Sequence, residues 1–212
     1  NYITNSVTFG WLGAMRGMRN PLHSWEKNDT AVISQPNGGD YPTLGPNDYK
    51  LATTLTKAGP EHRKFLRMIH VQMDITFPRY VWSEADTYHH NTKNSCSTMH
   101  KLFYKERGLE LSDFLVPEGD LAKKTLETTI YTLNQFRVEY LAPETAPERK
   151  NAILEEAKMI LPEGYLQKRT VDTTYEELRT IYHQRKGHRL KVWRDFCEEL
   201  KSLPYFTEFI ES

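Results

Sequence analysis

Positive charge is concentrated in one segment of a chain whose formal net charge is zero. Residues 179–194 contain no acidic residue, and they carry the side chains of Arg179, His183, Arg185, Lys186, His188, Arg189, Lys191 and Arg194. A basic run on a helix is often only a solvated face. The alternative is that a break at Gly187 lets cations and imidazoles converge around a helix end. Because the planar fork of arginine suits phosphate oxygens, that alternative implies a phosphorylated small molecule as the partner.

A second segment, rich in hydrogen-bonding side chains, runs from Asp86 to His100. An isolated segment of this kind would be an ordinary polar turn. Here it follows directly on a predicted strand and short helix, and rigid elements of that kind often present binding groups. Ser95 and Ser97 have hydroxyl and backbone N–H groups that suit a phosphate. The segment is therefore a second candidate for binding an anion.

The thiol and imidazole groups of the same segment suggest two other kinds of chemistry. His89, His90 and His100 lie near Cys96, but the sequence has no compact zinc pattern such as paired Cys-x-x-Cys, and we predict no metal site. A nucleophilic Cys96 needs a base that nothing in the sequence identifies, so a structural thiol is the preferred interpretation. Neither a Walker-type glycine loop nor a dinucleotide fingerprint occurs.

The elements that must position these segments predict an α+β fold. Apolar and polar residues alternate strictly over residues 69–77, which predicts a half-buried strand. Pro78 is expected to end that strand and to open a short helix over residues 79–85. Residues 164–174 predict a further strand or extended connection, and residues 2–9 a weaker strand.

Helices account for most of the remaining chain. Apolar residues that recur every three to five positions predict a long amphipathic helix over residues 121–140 and a shorter one over residues 152–160. Thr174 stands three residues before Glu177, a capping-box spacing that predicts a helix start. Further helices are predicted over residues 11–18, from a cap at Asn47 to Gly59, and over residues 190–200.

Composition limits the organisation of the chain and its partners. We expect a single domain with a core over about residues 47–205, preceded by an N-terminal strand and helix and a mobile loop within residues 1–46. Residues 28–46 collect Asn, Asp, Gly and Pro, which predicts a surface loop. Zero net charge argues against nucleic acid and membranes as partners, and no apolar run approaches the roughly 20 residues that span a bilayer. Two distant cysteines suit a reducing compartment, so we expect a cytoplasmic protein.

The order of these elements resembles the flavin-dependent thymidylate synthase family over roughly residues 47 to 205. That family carries the signature Arg-His-Arg-x-x-Ser-x-Asn-Glu-x-Ser-x-Arg-Tyr. When Asn94 is placed on its asparagine, Thr92 and Ser97 fall on its two serines. The remaining signature positions hold Thr87, Tyr88, His89, Ser95, Met99 and His100.

Other motifs add to the resemblance. Residues 161–165, Leu-Pro-Glu-Gly-Tyr, look like the family's Leu-Pro-x-x-Tyr turn, and residues 183–188 look like its Asn-x-Arg run with a later histidine at the flavin. Arg194 falls where family members place an arginine on the nucleotide. Upstream, Glu84 stands where the family has a glutamine touching the pyrimidine. Residues 60–62, Pro-Glu-His, are similar to a Ser-Pro-Phe-Glu-His segment at the flavin.

The resemblance implies a small central sheet flanked by long helices, and a homotetramer that reductively methylates deoxyuridine monophosphate (dUMP). In that scheme methylenetetrahydrofolate gives the carbon, and the flavin FAD relays hydride from a reduced nicotinamide cofactor. The residues implied to contact FAD are His62, His89, Asn94, His183, Arg185 and His188. Those implied to hold the nucleotide are Glu84, Ser95, Ser97 and Arg194.

The departures from the signature keep other functions open. Its three arginine positions hold Thr87, His89 and Met99, and each lost charge-assisted contact is worth about 1.5 to 3 kcal/mol. The basic segment at residues 179–194 is one source of compensation. The first hypothesis is a divergent flavin-dependent enzyme that acts on a pyrimidine nucleotide. The alternatives are a non-catalytic protein, for example from a phage or bacterium, that sequesters a nucleotide signal, and a different enzyme on the same fold.

Overall fold

The structure is a computed structural model that describes residues 1–211, and at residues 99 and 100 it describes the backbone alone. The chain divides into two compact units. Unit 1 comprises Asn1–Ile75, Asp86–Asn94 and the segment that begins at Arg169. Unit 2 comprises Thr76–Ala85 and Ser95–Lys168. The candidate site residues are therefore distributed over both units.

Four strands form the main sheet, and they are β1 (Ile3–Phe9), β4 (His70–Pro78), β5 (Thr92–Ser95) and β6 (Leu166–Thr174). Their order in the sheet is β1-β4-β6-β5. β1 runs antiparallel to β4, with Ile3 opposite Ile75. A bulge between Thr4 and Val7 interrupts this ladder, and Asn5 within it has a φ of 51°. Asparagine tolerates this left-handed conformation better than most residues.

The alternating pattern that predicted the central strand is confirmed in β4. Val71, Met73 and Ile75 are buried, as an inward-facing set with period two must be. The short helix α3 (Arg79–Ala85) follows Pro78 directly, as predicted. β5 was not predicted, because its sequence Thr-Lys-Asn-Ser has no apolar residue from which to recognise a strand.

Residues 28–46 form a hairpin where the sequence predicts a surface loop. Its strands are β2 (Ala31–Ser34) and β3 (Asp40–Thr43), paired antiparallel with Val32 opposite Pro42. The loop prediction was wrong for this segment. The strands are only four residues long and mostly exposed, so the sequence shows no buried face.

Two helices of unit 1 precede the central strand. α1 (Trp11–Met18) has its predicted bounds. α2 (Pro46–Ala58) starts before the predicted cap Asn47, because Pro46 occupies the first turn, where a missing N–H costs nothing. Asp48 is fully buried on this helix and accepts a hydrogen bond of 2.6 Å from Arg19 Nε.

Unit 2 is built mainly from α5 (Asp120–Leu141) and α6 (Pro147–Ile160), with the one-turn helix α4 (Thr98–Lys101) before them. Both long helices were predicted, although α6 begins earlier than its apolar pattern indicates. Helix α5 and helix α6 bury one apolar stripe each. The core of this unit consists of Leu102, Phe103, Leu109, Phe114, Leu126, Ile130, Leu133, Ile153, Leu154, Ala157, Leu161 and Tyr165.

Helices α7 (Tyr175–Arg185) and α8 (Lys191–Leu200) belong to unit 1. Gly187 lies in the break between them, as predicted. Large aromatic side chains dominate the buried core of this unit, namely Trp11, Tyr175, Tyr182, Trp193, Phe196, Phe206 and Phe209. Within the described part of the chain, no helix combines the length and the apolar character needed to cross a membrane.

Candidate functional site

The buried carboxylate of Glu177 attaches residues 86–94, here called the 86–94 segment, to helix α7. Its Oε1 accepts a hydrogen bond of 2.9 Å from the backbone N–H of His90. Its Oε2 accepts bonds of 3.1 Å from the side chains of Asn91 and Thr173. Thr174 caps the helix, as predicted, by accepting from the Glu177 N–H at 3.4 Å. The Glu177 side chain is thus used for the segment and not for a reciprocal capping box.

Tyr88 makes the second attachment, at the other end of α7. Its hydroxyl donates to Gln184 Oε1 at 2.8 Å and accepts from Arg185 Nε at 2.9 Å. The Arg185 guanidinium lies 5.6 Å from the centre of the Tyr88 ring and 4.8 Å from that of the Trp193 ring. These two cation–π contacts and the hydroxyl bond fix the orientation of this cation.

His188 lies against Arg185, as the predicted convergence around Gly187 requires. Its Nε2 is 3.0 Å from Arg185 Nη1, and its Nδ1 is 3.2 Å from the backbone N–H of Leu190. A neutral imidazole has one acceptor nitrogen, so it accepts from only one of these two donors at a time. Arg194 Nη1 donates to the carbonyl groups of His188 at 2.6 Å and Arg189 at 2.8 Å. Arg194 therefore closes the turn between α7 and α8.

His183 sits in a positively charged environment on another part of α7. Its Nε2 is 2.8 Å from the carbonyl oxygen of Ile210. Burial lowers the pKa of His183, and the cations of Arg179, Lys186 and Arg63 lower it further against the raising effect of that carbonyl. His183 is therefore neutral at physiological pH. Sequence reasoning missed Arg63, although the run His-Arg-Lys-Phe-Leu-Arg at residues 62–67 signals a basic cluster.

Two clefts lie in unit 1, and the first is lined by residues of the attachment described above. The first has a volume of about 430 Å³ and is lined by Arg67, His90, Thr174, Glu176, Glu177 and Thr180. The second, of about 390 Å³, is mainly apolar and includes Met18, Phe65 and Met68. His62 lies at the second cleft, with Nε2 3.3 Å from Glu61 Oε1.

The other predicted site residues lie on polar surfaces of the two units. His89 and Asn94 are exposed in the 86–94 segment. Glu84, Ser95 and Ser97 belong to unit 2, where Glu84 is half-buried on α3 and the two serines are exposed. The His100 side chain, considered above for metal binding, lies outside the described residues. Among the side chains that the structure describes, no group of three or more His, Cys, Asp or Glu residues could hold a metal ion.

Two solved structures of one enzyme are similar to this chain in fold. No protein-family model matches the sequence, and no curated protein matches it. A structure of flavin-dependent thymidylate synthase ThyX from Helicobacter pylori, complexed with FAD and dUMP, is 16% identical, with 98% of each chain covered and a TM-score of 0.70. A second structure of that enzyme with FAD and dUMP is 17% identical, with 99% of this chain and 98% of the other covered and a TM-score of 0.72.

The chain therefore has the fold of flavin-dependent thymidylate synthases over nearly its whole length. This confirms the α+β fold and the resemblance inferred from the sequence motifs. The likeness also includes the N-terminal region that the motifs did not cover, since almost all of this chain is aligned.

Proposed function

We propose that this protein is a divergent flavin-dependent thymidylate synthase-like enzyme that reductively methylates dUMP or a related pyrimidine nucleotide, with folate and FAD. The observation that carries the proposal is the attachment of the 86–94 segment to α7 through Glu177 and Tyr88. It makes neighbours of two polar regions that the sequence marks as anion-binding, in a chain whose fold is that of enzymes crystallised with FAD and dUMP.

The residues that would hold FAD are His62, His89, Asn94, His183, Arg185 and His188. Their N–H donors suit the carbonyl and phosphate oxygens of FAD. Asn91 adds a buried acceptor, because its Oδ1 has no hydrogen-bond partner among the described residues and would accept from an N–H group of the flavin. When bound, FAD supplies the relay of hydride from a reduced nicotinamide cofactor. Arg185, fixed between Tyr88 and Trp193, would present a preoriented cation to the ligand.

The residues that would hold the nucleotide are Glu84, Ser95, Ser97 and Arg194. No protein nucleophile is needed in this proposal, so the side chains contribute by orienting the two ligands and by stabilising charge. We also propose a cytoplasmic homotetramer with sites built between subunits.

A second function, nucleotide binding without catalysis, is favoured by the way this chain uses its cations. Three signature arginine positions hold Thr87, His89 and Met99. Arg185 bonds to Tyr88, and Arg194 bonds to two backbone carbonyls of its own chain. A protein that sequesters a nucleotide needs the pocket but not the full set of cations that positions FAD.

Absorption, turnover and nucleotide-release measurements separate the two functions. If the protein is the enzyme, it should absorb at about 450 nm after reconstitution with FAD and should convert dUMP to thymidylate with methylenetetrahydrofolate and a reduced nicotinamide cofactor. A colourless protein that releases an intact nucleotide on denaturation would support sequestration instead. If the protein neither binds flavin nor releases a nucleotide, and nucleotides leave its melting temperature unchanged, both functions are wrong, because a ligand of the folded state stabilises it by mass action.

A further inference from the structure

A second group of cations, at α7 and in residues 63–67, has no role in the proposal above. The Arg63 cation lowers the pKa of Arg179, and both cations lower the pKa of His183. Lys186 stands one helical turn from His183 and also acts on it. Arg67 lines the cleft of about 430 Å³ that Glu176 and Thr180 of α7 also line. We call Arg63, Arg67, Arg179 and Lys186 the α7 cation cluster.

The carboxylates near the three arginines of the cluster do not neutralise them. Glu176 is 17% exposed and is held by Arg63, whose Nε lies 3.1 Å from its Oε2. Glu177 is already bonded to three donors from the 86–94 segment and Thr173. Glu176 and Glu177 therefore face the three arginines, with Glu176 held by Arg63, while Lys186 also interacts with the Glu211 carboxylate.

Arg179 is unfavourably placed for a residue with only a structural role. Its Nε is buried and has no hydrogen-bond partner among the described residues. Burial lowers the pKa of its guanidinium, and the Arg63 cation lowers it further. A desolvated donor beside a like charge destabilises a fold. Sites that break local rules in this way are frequently binding sites, where the ligand supplies the missing partner.

We propose that Arg179 and Arg63, with Arg67 of the cleft that Glu176 also lines, form a binding site for a phosphate group, either a free phosphate ion or the phosphate of a nucleotide ligand. A phosphate accepts several hydrogen bonds from guanidinium groups and neutralises their repulsion. The nucleotide form of this inference rests on the proposed function. The phosphate site itself does not, because none of its three arginines belongs to the residues assigned there to FAD or dUMP.

The test compares melting temperatures in potassium phosphate and in potassium chloride at equal ionic strength. The variant is Arg179→Gln, and the matched control is Arg189→Gln, an exposed arginine in the turn after α7. Phosphate should stabilise the wild type and the control but not Arg179→Gln, whose Kd for phosphate should rise by about tenfold or more. In chloride alone, Arg179→Gln should melt no lower than the wild type, because it removes an unpartnered buried donor. A merely structural arginine would give the opposite shift.

Chemical footprinting of the unmutated protein provides a measurement that does not depend on a folded variant. Phosphate should protect Arg179 and Arg63 from phenylglyoxal and leave Arg189 reactive. Parallel arms with dUMP and deoxyuridine identify the source: protection by dUMP but not by deoxyuridine shows that a nucleotide phosphate enters the site. Equal stabilisation of wild type and Arg179→Gln by phosphate, or no protection of Arg179 by phosphate or dUMP, would overturn the inference. Flavin content and turnover are measured separately, so failure of the proposed function is distinguishable from failure of this site.

Discussion

The substitution Glu177→Gln tests the attachment of the 86–94 segment to α7. Glu177 accepts from the His90 N–H on one oxygen and from Asn91 and Thr173 on the other. Glutamine has one oxygen and one NH₂ group in the same place. In either orientation of the amide, a donor therefore faces a donor. The residue is only 5% exposed, so water does not replace the lost bond.

The expected loss follows from the charge and burial of this acceptor. A hydrogen bond to a charged group contributes about 1.5 to 3 kcal/mol. For a chain of this size, each 1 kcal/mol lowers the melting temperature by about 2 to 4 °C. Glu177→Gln should therefore lower the melting temperature by about 3 to 12 °C. It should also speed hydrogen exchange at the His90 amide, because that amide loses its acceptor.

Calorimetry and hydrogen exchange measure the two effects independently. Glu198→Gln is the matched control, since Glu198 is 67% exposed and pairs with Lys201 at 3.0 Å on the surface. Its loss should change stability by at most about 1 kcal/mol. If Glu177→Gln has the same melting temperature as Glu198→Gln and the His90 amide exchanges at the wild-type rate, Glu177 does not hold the 86–94 segment as inferred.

Three further perturbations test neighbouring parts of the account. Arg185→Lys should lower the free energy of unfolding by about 1 to 3 kcal/mol, because lysine lacks the planar guanidinium that stacks on Trp193. An unchanged midpoint of urea unfolding would contradict this prediction. Burial lowers the pKa of His183, so below about pH 6.5 the unfolded chain binds a proton that the folded chain does not. The free energy of unfolding therefore falls on acidification. His183→Gln should reduce this fall, which urea unfolding at several pH values measures. Burial raises the pKa of Cys197 to about 12, whereas Cys96 is exposed. An aromatic disulfide reagent should therefore react with one thiol in the native chain and with two after denaturation. Two rapidly reacting thiols in the native chain would show that Cys197 is accessible.

Periodic segments of this fold were predictable because burial leaves a regular pattern in the sequence. β4 shows period two, and α5 shows the spacing of one buried helical stripe. Thr174 was predictable as a helix cap from chemistry alone. The β2-β3 hairpin and β5 were not predictable, because their strands are short and mostly exposed. Their sequences therefore lack the alternation of apolar and polar residues that marks a strand with one buried face.

The candidate site was predictable in its charge but not in its contacts. The basic run at residues 179–194 indicated an anion site, and the structure does bring Arg185, His188 and Arg194 together at the helix break. The sequence could not show that Tyr88 holds Arg185, because the two residues are separated by nearly half the chain. Arg63 was missed for the same reason: its partner Glu176 is distant in sequence and near only after folding.

Hydrogen exchange with and without ligand tests the central claim most directly, because it reports on both polar regions of unit 1 in one experiment. The account predicts that saturating FAD with dUMP slows exchange in the 86–94 segment and in α7 together, with smaller effects in α5 and α6 of unit 2. Ligand binding that protects neither region, or protects only residues remote from both, would contradict the account.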